Sequence, residues 1–355
     1  MAPRIGFLGA GLIAHLHAFG LHESKAPSAF AGVFDPDLER TREFAVGWGA
    51  TPCTSEDEVL DSCDAVYVCT WTSEHARLVD AACARGLAVF CEKPLAFDAP
   101  AAATMADAVD AAGVVNQVGL VLRHSPAFAY LRHLVQDAGA GRVMSVVFRD
   151  DQYIPVQGMY ASTWRGDRER AGAGTLLEHS IHDLDVLEWV LGPIGSVSGR
   201  AANFHEIDGI EDSVATVFDL VSGGLGAHAT VWHDVMERPS LRRVEVFCER
   251  RQIVVEGDWD GPVTWTTTGS DERSLQGKDL VRACREVGLE VGDPDGAFVR
   301  AVTEGRPSWP TLRDAVRPHE VVDAIYRSAA EGGIRVPLDA PTDRATDDEG
   351  APDHG

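Results

Sequence analysis

The start of the chain joins an apolar run to a glycine-rich turn, and this pair constrains the fold more than any other feature. Residues 5–8 are apolar, and the sequence GAGLIA follows at positions 9–14 before a helical pattern. Gly9 permits the tight turn from strand to helix, and Gly11 lets the backbone approach a pyrophosphate at the helix N-terminus. The motif alone also fits a plain glycine turn. Because the next predicted strand ends at Asp35, the context predicts a dinucleotide-binding βαβ unit.

Strand and helix patterns alternate through the first part of the chain. Short connections between alternating elements indicate parallel strands with crossover helices, which form a doubly wound sheet. We therefore expect an α/β chain with a Rossmann domain at residues 1–122. Its predicted strands are the apolar runs at residues 5–8, 30–34, 65–69, 87–91 and 114–119.

The rest of the chain has a different pattern. After about Arg142, strand patterns follow one another with turn sequences between them, which predicts an open, mainly antiparallel sheet. We expect a substrate-binding and oligomerisation α+β domain at residues 123–337, whose C-terminal helices can pack back on the first domain. A tail rich in Pro, Asp, Gly and Thr, residues 338–355, is predicted to be disordered. The predicted strands are residues 143–148, 197–204, 214–220, 225–232, 241–248 and 252–255.

Charge and cysteine usage exclude several classes of partner. The formal net charge is −24, and nucleic acids and anionic membrane surfaces require a basic footprint. The seven cysteines are scattered, with no CxxC pair and no metal-ligand spacing, so we expect reduced thiols and no metal. The sequence shows neither a signal peptide nor an apolar stretch long enough to span a membrane. We therefore expect a cytoplasmic protein.

The apolar run of the fifth predicted strand is followed by a lysine. The chain has only three lysines, Lys25, Lys93 and Lys278, among 31 Lys and Arg residues. Lys93 belongs to the sequence Glu-Lys-Pro at 92–94, at the strand end where open α/β sheets bind ligands. A partly buried lysine can tune its pKa, whereas an arginine cannot lose its proton. This position suggests proton or hydroxyl chemistry, and the alternative is a solvent-exposed lysine at a strand end.

A helical pattern at residues 175–191 is apolar around most of its circumference, which predicts a largely buried helix. Glu178, His182 and Asp185 fall at i, i+4 and i+7 and form one polar stripe. Buried polar groups need partners, which either a substrate cleft or a structural His–carboxylate network can supply. Two polar residues lie off the stripe, and we expect them to be structural: His179 and Asp183.

The acidic residue after the second predicted strand indicates which cofactor binds. Asp35 is placed to accept hydrogen bonds from both ribose hydroxyls of NAD, and its carboxylate repels a 2′-phosphate. No arginine follows immediately to receive such a phosphate. NAD is therefore favoured over NADP. The alternative is that Asp35 only caps the following helix.

Together these residues resemble the Gfo/Idh/MocA oxidoreductase family, which includes inositol dehydrogenases and glucose–fructose oxidoreductase. The resemblance covers residues 3–335 and is carried by GAGLIA at 9–14, TSEH at 72–75, EKP at 92–94 and GTLLEHSIHD at 174–183. It implies that Lys93 and His182 are catalytic. Inositol dehydrogenases have an aspartate four positions before that histidine, and this chain has Glu178, which leaves a direct contact with substrate in doubt.

The resemblance and the motifs define three sets of candidate residues. The catalytic candidates are Lys93, His182 and Glu178, with Glu178 orienting the histidine. The cofactor candidates are Gly9, Gly11, Leu12, Ile13, Asp35, Thr70, Trp71, His75, Glu92, Lys93 and Gln117. The substrate candidates are Lys93, Arg123, Gln152, Trp164, Arg165, Glu178 and His182.

The expected activity is NAD(H)-dependent hydride transfer between nicotinamide and a secondary alcohol of a sugar, cyclitol or related polyol. The same resemblance leaves an NAD-dependent glycosidase that uses transient oxidation as one alternative. A non-catalytic, nucleotide-binding regulator on this scaffold is a second. Because an open antiparallel sheet needs a cover on its second face, we also expect a homodimer or homotetramer.

Overall fold

The computed structural model describes residues 2–158, 161–238 and 240–339. Its first part contains six strands: β1 Arg4–Leu8, β2 Ala29–Phe34, β3 Thr51–Pro52, β4 Ala65–Val68, β5 Ala88–Cys91 and β6 Asn116–Val118. They form one sheet in the order β3-β2-β1-β4-β5-β6, in which every neighbouring pair is parallel. The predicted Rossmann-type sheet is confirmed. The short β3 is an addition that no apolar pattern indicated.

Helices cover both faces of this sheet: α1 Leu12–Glu23, α2 Leu38–Trp48, α3 Glu56–Ser62, α4 His75–Cys83 and α5 Ala99–Ala112. Every residue of β4 is buried, which explains its continuous apolar run. Alternate side chains enter two different cores, with Val66 and Val68 on one face and Tyr67 on the other. Tyr67 stacks on Phe90 of β5 with ring centroids 4.5 Å apart. This packing holds the carboxyl ends of β4 and β5 side by side.

Nine strands form a second sheet: β7 Val143–Tyr153, β8 Ile194–Ala202, β9 Ser213–Leu220, β10 Leu225–His233, β11 Leu241–Cys248, β12 Arg251–Glu256, β13 Val263–Thr267, β14 Arg273–Leu275 and β15 Val336–Pro337. Their order is β14-β13-β12-β11-β7-β10-β9-β8-β15. The β7–β10 pair is parallel and the others are antiparallel. The prediction of a mainly antiparallel sheet is confirmed.

The remaining helices are α6 Pro126–Gln136, α7 Arg168–Ala171, α8 Thr175–Glu178, α9 Ile181–Leu191, α10 Gly277–Glu286, α11 Pro294–Glu304 and α12 Leu312–Ala330. Helices α6, α9 and α12 pack on the inner face of the second sheet and share its apolar core. The strands alternate buried and exposed residues, as in β9 and β11. The outer face of the sheet is therefore open in this chain.

The predicted continuous helix at 175–191 is wrong in one respect, because it is broken at His179 and Ser180. The Ser180 hydroxyl donates a buried hydrogen bond of 2.7 Å to Thr230 Oγ1 on β10. This side-chain bond ties the break between α8 and α9 to β10. The break divides the segment into α8 and α9 and changes the directions of the side chains on either side of it.

The C-terminal helices contact both parts of the chain. Helix α11 packs on α1, and α12 packs on α5 as well as on β8 and α9. A division at 122/123 falls within the 3₁₀ turn Val121–His124, and we keep it as a proposal. Most of the tail predicted to be disordered, residues 340–355, lies outside the described residues. Among the described helices, none combines the length and apolarity needed to cross a bilayer.

Candidate active site

A cleft of about 600 Å³ runs from the carboxyl edge of the first sheet to the second sheet. This is where open α/β sheets bind ligands. One end is lined by eight of the predicted cofactor residues: Gly9, Gly11, Leu12, Ile13, Asp35, Thr70, Trp71 and Lys93. The other end is lined by predicted substrate residues: Lys93, Gln152, Trp164, Arg165, Glu178 and His182. The fold thus brings most of the candidates from both parts of the chain to one place.

The glycine turn after β1 fits a dinucleotide pyrophosphate. Gly9 has φ +91°, and a side chain there would overlap the backbone carbonyl of Cys69, so that position requires glycine. A Cβ on Gly11 would meet nothing within 4 Å, which leaves open space beside the turn. Gly11 is the N-cap of α1, and no side chain caps the helix. The first backbone N–H groups of α1 therefore remain available for an anion.

Asp35 supports this turn as well as facing the cleft. Its Oδ2 accepts a hydrogen bond of 2.9 Å from the Ala10 N–H, and its Oδ1 accepts one of 2.9 Å from the Asp37 N–H. Each carboxylate oxygen can accept a further bond, so the contacts leave capacity for ribose hydroxyls. Arg40, in the first turn of α2, also lines the cleft. No arginine follows Asp35 immediately in the sequence, but the fold brings Arg40 to the same cleft.

Lys93 extends from the end of β5 toward the second part of the chain. Its Nζ donates a hydrogen bond of 2.6 Å to the backbone carbonyl of Glu178. Burial lowers the pKa of Lys93, and the nearby Arg165 guanidinium adds to this effect, while the Glu178 carboxylate opposes it. One of the three ammonium donors is used by the carbonyl, and the others remain for a ligand in the cleft.

The hydrogen bonds of the Glu178 carboxylate in the described residues go to groups other than His182, which it was expected to orient. Its Oε1 accepts 3.0 Å from Thr72 Oγ1, and its Oε2 accepts 3.3 Å from Arg165 Nε. The carboxyl is 2% exposed, and burial raises its pKa. Within the described residues, no hydrogen bond joins Glu178 to His182. The break after α8 explains this, because the two residues are not on one continuous helix.

His182 presents a neutral imidazole to the cleft. His182 is 8% exposed, and its Nδ1 is buried without a hydrogen-bond partner among the described residues. Burial lowers the pKa of His182 well below its ordinary value, and the nearby Lys93 and Arg242 cations lower it further. The ring is thus an acceptor at neutral pH, as a proton-accepting base requires.

An ion network behind His182 was missed by the sequence reasoning. Arg242 on β11 contacts Asp150 at 2.8 Å, Asp183 at 2.9 Å and Asp258 at 2.9 Å. His179 Nε2 lies 2.9 Å from Asp150, and both His179 and Arg242 line the cleft. His179, expected to be structural, therefore borders the site. Strand parity could have revealed the arginine, because Arg242 occupies an inward position of an alternating strand.

Arg123, a predicted substrate residue, is not among the residues that line the cleft. Its guanidinium binds the Asp185 carboxylate with contacts of 2.6 to 3.1 Å and lies over the Trp309 ring. Asp185, the third member of the predicted stripe, is thus turned away from the cleft. The Arg123 and Asp185 side chains form a buried ion pair.

Three predicted cofactor residues also do not line the cleft among the described residues: His75, Glu92 and Gln117. His75 lies 2.9 Å from the Pro94 carbonyl through Nδ1. The Gln117 amide donates to the Pro294 carbonyl and accepts from Ser308. These residues support the backbone behind the cleft. In the described part of the chain, no group of three or more His, Cys, Asp or Glu side chains is arranged to hold a metal ion.

Comparisons with known protein families match both parts of the chain. Residues 3–120 match the GFO_IDH_MocA model, described as an oxidoreductase family with an NAD-binding Rossmann fold. Residues 128–254 match the GFO/IDH/MocA C-terminal domain. The two matches together cover more than half of the chain.

Two individual proteins, both named as inositol dehydrogenases, are also similar to this chain. Inositol 2-dehydrogenase of Rhizobium meliloti is 27% identical over 93% of this chain and 98% of that protein. The scyllo-inositol 2-dehydrogenase (NAD(+)) of Bacillus subtilis is 30% identical over 63% of this chain and 65% of that protein.

Solved structures share the fold. An oxidoreductase domain protein from Kribbella flavida superposes with TM-score 0.83 and 23% identity, over 96% of this chain and all of that one. Levoglucosan dehydrogenase in complex with NADH and levoglucosan superposes with TM-score 0.83 and 20% identity, over 96% of this chain and 100% of that chain. The chain therefore belongs to the Gfo/Idh/MocA family of oxidoreductases, and its first part is an NAD-binding Rossmann fold.

Proposed function

We propose that the protein is an NAD-dependent dehydrogenase that oxidises a secondary alcohol of a cyclitol, sugar or related polyol. One observation carries the proposal: the Lys93 ammonium and the His182 imidazole line a single cleft whose other end is the glycine turn. Several relatives are named inositol 2-dehydrogenases, and another is a 1,5-anhydro-D-fructose reductase. All of these names describe chemistry at a hydroxyl or carbonyl carbon.

The turn containing Gly9 and Gly11 and the N-terminus of α1 would hold the NAD pyrophosphate, with Asp35 at the adenosine ribose. Bound NAD supplies the acceptor for the hydride. His182 accepts the hydroxyl proton, because its imidazole is neutral and the residue lines the cleft.

Lys93 donates a hydrogen bond to the same oxygen and stabilises the negative charge that develops there. Its amine is held by the Glu178 carbonyl, so little reorganisation is needed when the substrate binds. The Glu178 carboxylate anchors the α8 segment to Thr72 and Arg165. In this mechanism Glu178 positions the lysine through its backbone, and its side chain does not need to contact the substrate.

A direct test is a screen of inositols and sugars for reduction of NAD, followed at the NADH absorbance band. Accumulation of NADH with one or more polyols is the expected result. A glycosidase that oxidises its substrate transiently would return the cofactor to its oxidised form and release a sugar. A nucleotide-binding regulator would bind NADH and turn over none of the compounds.

We expect the wild-type protein to bind NADH more tightly than NADPH. The Asp35→Ser substitution should reduce this difference in affinity. Hydrogen bonds to a charged group are worth about 1.5–3 kcal/mol, so the loss of the Asp35 carboxylate should weaken NADH binding by about 10- to 100-fold. Binding of both cofactors is measured by titration of protein fluorescence. Tighter binding of NADPH than of NADH by the wild-type protein would show that the assignment is wrong.

A matched control lies two residues further along. Asp37 is exposed and caps α2 with its side chain, and serine is also a good N-cap. Asp37→Ser should therefore leave the preference for NADH unchanged. A similar loss in both variants would mean that the Asp35 effect comes only from the helix cap and the turn.

We also propose that the outer face of the second sheet forms a homodimer or homotetramer interface. Apolar side chains on this face are 42% to 60% exposed: Val147, Val217, Leu225 and Phe247. Ala227 lies between Val147 and Val217 in neighbouring strands, so these side chains form one continuous patch. Contiguous exposed apolar patches mark interaction sites.

Val147→Glu combined with Val217→Glu should convert the oligomer to monomers, because the introduced charges would be desolvated in the interface. Light scattering at micromolar protein concentration measures the mass. Val46→Glu is the control, since Val46 is 87% exposed on α2 and far from this sheet. A monomeric mass for the wild-type protein would contradict the proposal.

A further inference from the structure

A buried histidine in the first part of the chain joins two carboxylates. His17 lies on α1 and is 4% exposed. Its Nδ1 is 2.8 Å from Asp295 Oδ1, and its Nε2 is 2.8 Å from Glu92 Oε1. An ionised carboxylate only accepts hydrogen bonds, so between two ionised carboxylates both ring nitrogens of His17 donate a proton. The geometry is that of an imidazolium held between two anions.

The histidine connects α1 and the end of β5, both of which border the cleft, to α11. His17 follows Ile13 by one helical turn, on the helix whose N-terminus faces the nucleotide end. Glu92 directly precedes Lys93, and its Oε2 accepts 3.2 Å from the Lys93 N–H. Asp295 lies in the first turn of α11. The cofactor helix and the strand end that carries the lysine are thus joined through one side chain.

Two glycines leave room for this arrangement. A Cβ on Gly119 would overlap Glu92 Oε1, and a Cβ on Gly20 would overlap Asp295 Oδ2. The Tyr67 hydroxyl donates a further bond of 3.1 Å to Asp295 Oδ1. Every polar neighbour of the histidine is therefore itself held in place, as a rigid support for an active-site group requires.

The charges agree with the geometry. Burial acts to lower the pKa of His17, but the Asp295 and Glu92 carboxylates outweigh it and raise the pKa to about 10. The pKa of Glu92 is lowered in spite of its burial, because His17 and Lys93 stabilise the carboxylate. Glu92 is thus kept ionised behind Lys93, although a buried, unpaired carboxyl would take up a proton.

We propose that His17 is a positioning residue for Lys93: clamped between Asp295 and Glu92, it holds Glu92 in the place and orientation that set the backbone and amine of the lysine. The proposal rests on the proposed catalytic function of Lys93. His17 touches neither substrate nor cofactor in this scheme and acts through Glu92. It thereby couples the helix that binds the nucleotide to the residue that contacts the reacting oxygen.

The test is a double-mutant cycle on turnover at saturating NAD and polyol. His17→Gln should lower kcat by about 10- to 100-fold, since a displacement of about 1 Å at a catalytic group has this effect, while NADH affinity changes little. Glu92→Gln should give a comparable loss. If His17 acts through Glu92, the double variant should be no worse than the poorer single variant. A merely structural role would lower stability without this coupling.

The control is His22→Gln, because His22 is exposed on the same helix; its kcat should equal that of the wild-type protein. Near-wild-type kcat in His17→Gln, or multiplicative losses in the double variant, would overturn the proposal. If Lys93→Met retained full turnover, the proposed function would fail independently. An inactive Lys93→Met with a fully active His17→Gln would reject only the inference about His17.

Two measurements remain informative if His17→Gln does not fold. Asp295→Asn retains the His17–Glu92 contact, so we expect it to lower kcat less than His17→Gln does. In the Glu92→Gln background, Asp295→Asn should lower kcat no further. In addition, the imidazole ¹⁵N signals of the wild-type protein should show at least one histidine that stays doubly protonated at about pH 8, well above its ordinary range. The absence of such a histidine would overturn the proposal without any variant.

Discussion

Replacement of Lys93 by Met is expected to reduce turnover by about 10²- to 10³-fold, the effect of losing one donor to a developing oxyanion. NADH affinity should stay within about threefold of wild type, because the lysine acts mainly on the transition state. Turnover is measured by NADH formation and affinity by fluorescence titration. In the wild-type protein, oxidation should also decline at high pH, as the ammonium loses its proton below the ordinary lysine pKa. Lys93→Met should lack this decline.

The chain provides a matched control for this experiment. Lys278 is one of only two other lysines and is exposed at the start of α10. Lys278→Met should leave turnover, affinity and the pH profile unchanged. If Lys93→Met kept near-wild-type turnover with the polyol that the wild-type protein oxidises, Lys93 would not be the donor.

Replacement of His182 by Gln is expected to lower turnover by about 10²- to 10⁴-fold, the usual contribution of a positioned general base. The pH profile provides a second test. Because the pKa of His182 lies well below 6.5, the base is already neutral at pH 7, and the oxidation rate should be flat there. On the acid side, the rate should fall as the pH drops through the lowered pKa of His182, since protonation removes the acceptor. His182→Gln should lack this acid limb.

His179→Gln is the comparison variant, because His179 also lines the cleft but its Nε2 faces Asp150. It should lose less than about tenfold in turnover, because a base must have a free acceptor within reach of the substrate. Melting temperatures of both variants separate catalysis from stability. A folded His182→Gln with near-wild-type turnover would show that His182 is not the base. If, in addition, His179→Gln were inactive, the role of base would pass to His179.

Local sequence patterns were sufficient for the parts of the site that are built by single turns and strand ends. The backbone at Gly9 needs φ > 0, and its close approach to Cys69 excludes a side chain, so glycine spacing revealed the turn. Lys93 follows a strand whose apolar run marks it as buried on both faces. These features depend on residues adjacent in sequence, which is why reading the chain alone placed them.

Side-chain partners from distant segments were not predictable in this way. Asp185 was expected on the same polar stripe as His182, yet Arg123, 62 residues away, binds it outside the cleft. The helix that was to carry the stripe is interrupted at His179 and Ser180, where the Ser180 hydroxyl binds Thr230 on β10. Periodicity assumes an unbroken helix, so it could not anticipate that Glu178 would bind Thr72 and Arg165 instead.

The sequence by itself therefore determined the α/β class, the Rossmann sheet and the mainly antiparallel second sheet, because hydrophobic period and glycine spacing are local properties. Its motifs also carried the resemblance to the family. Only the tertiary structure decided which polar groups meet. His17 and Asp295 are 278 residues apart and make contact because α11 packs on α1. Such contacts depend on how two separately patterned parts of the chain pack together, and a buried charge takes whichever partner that packing brings within reach.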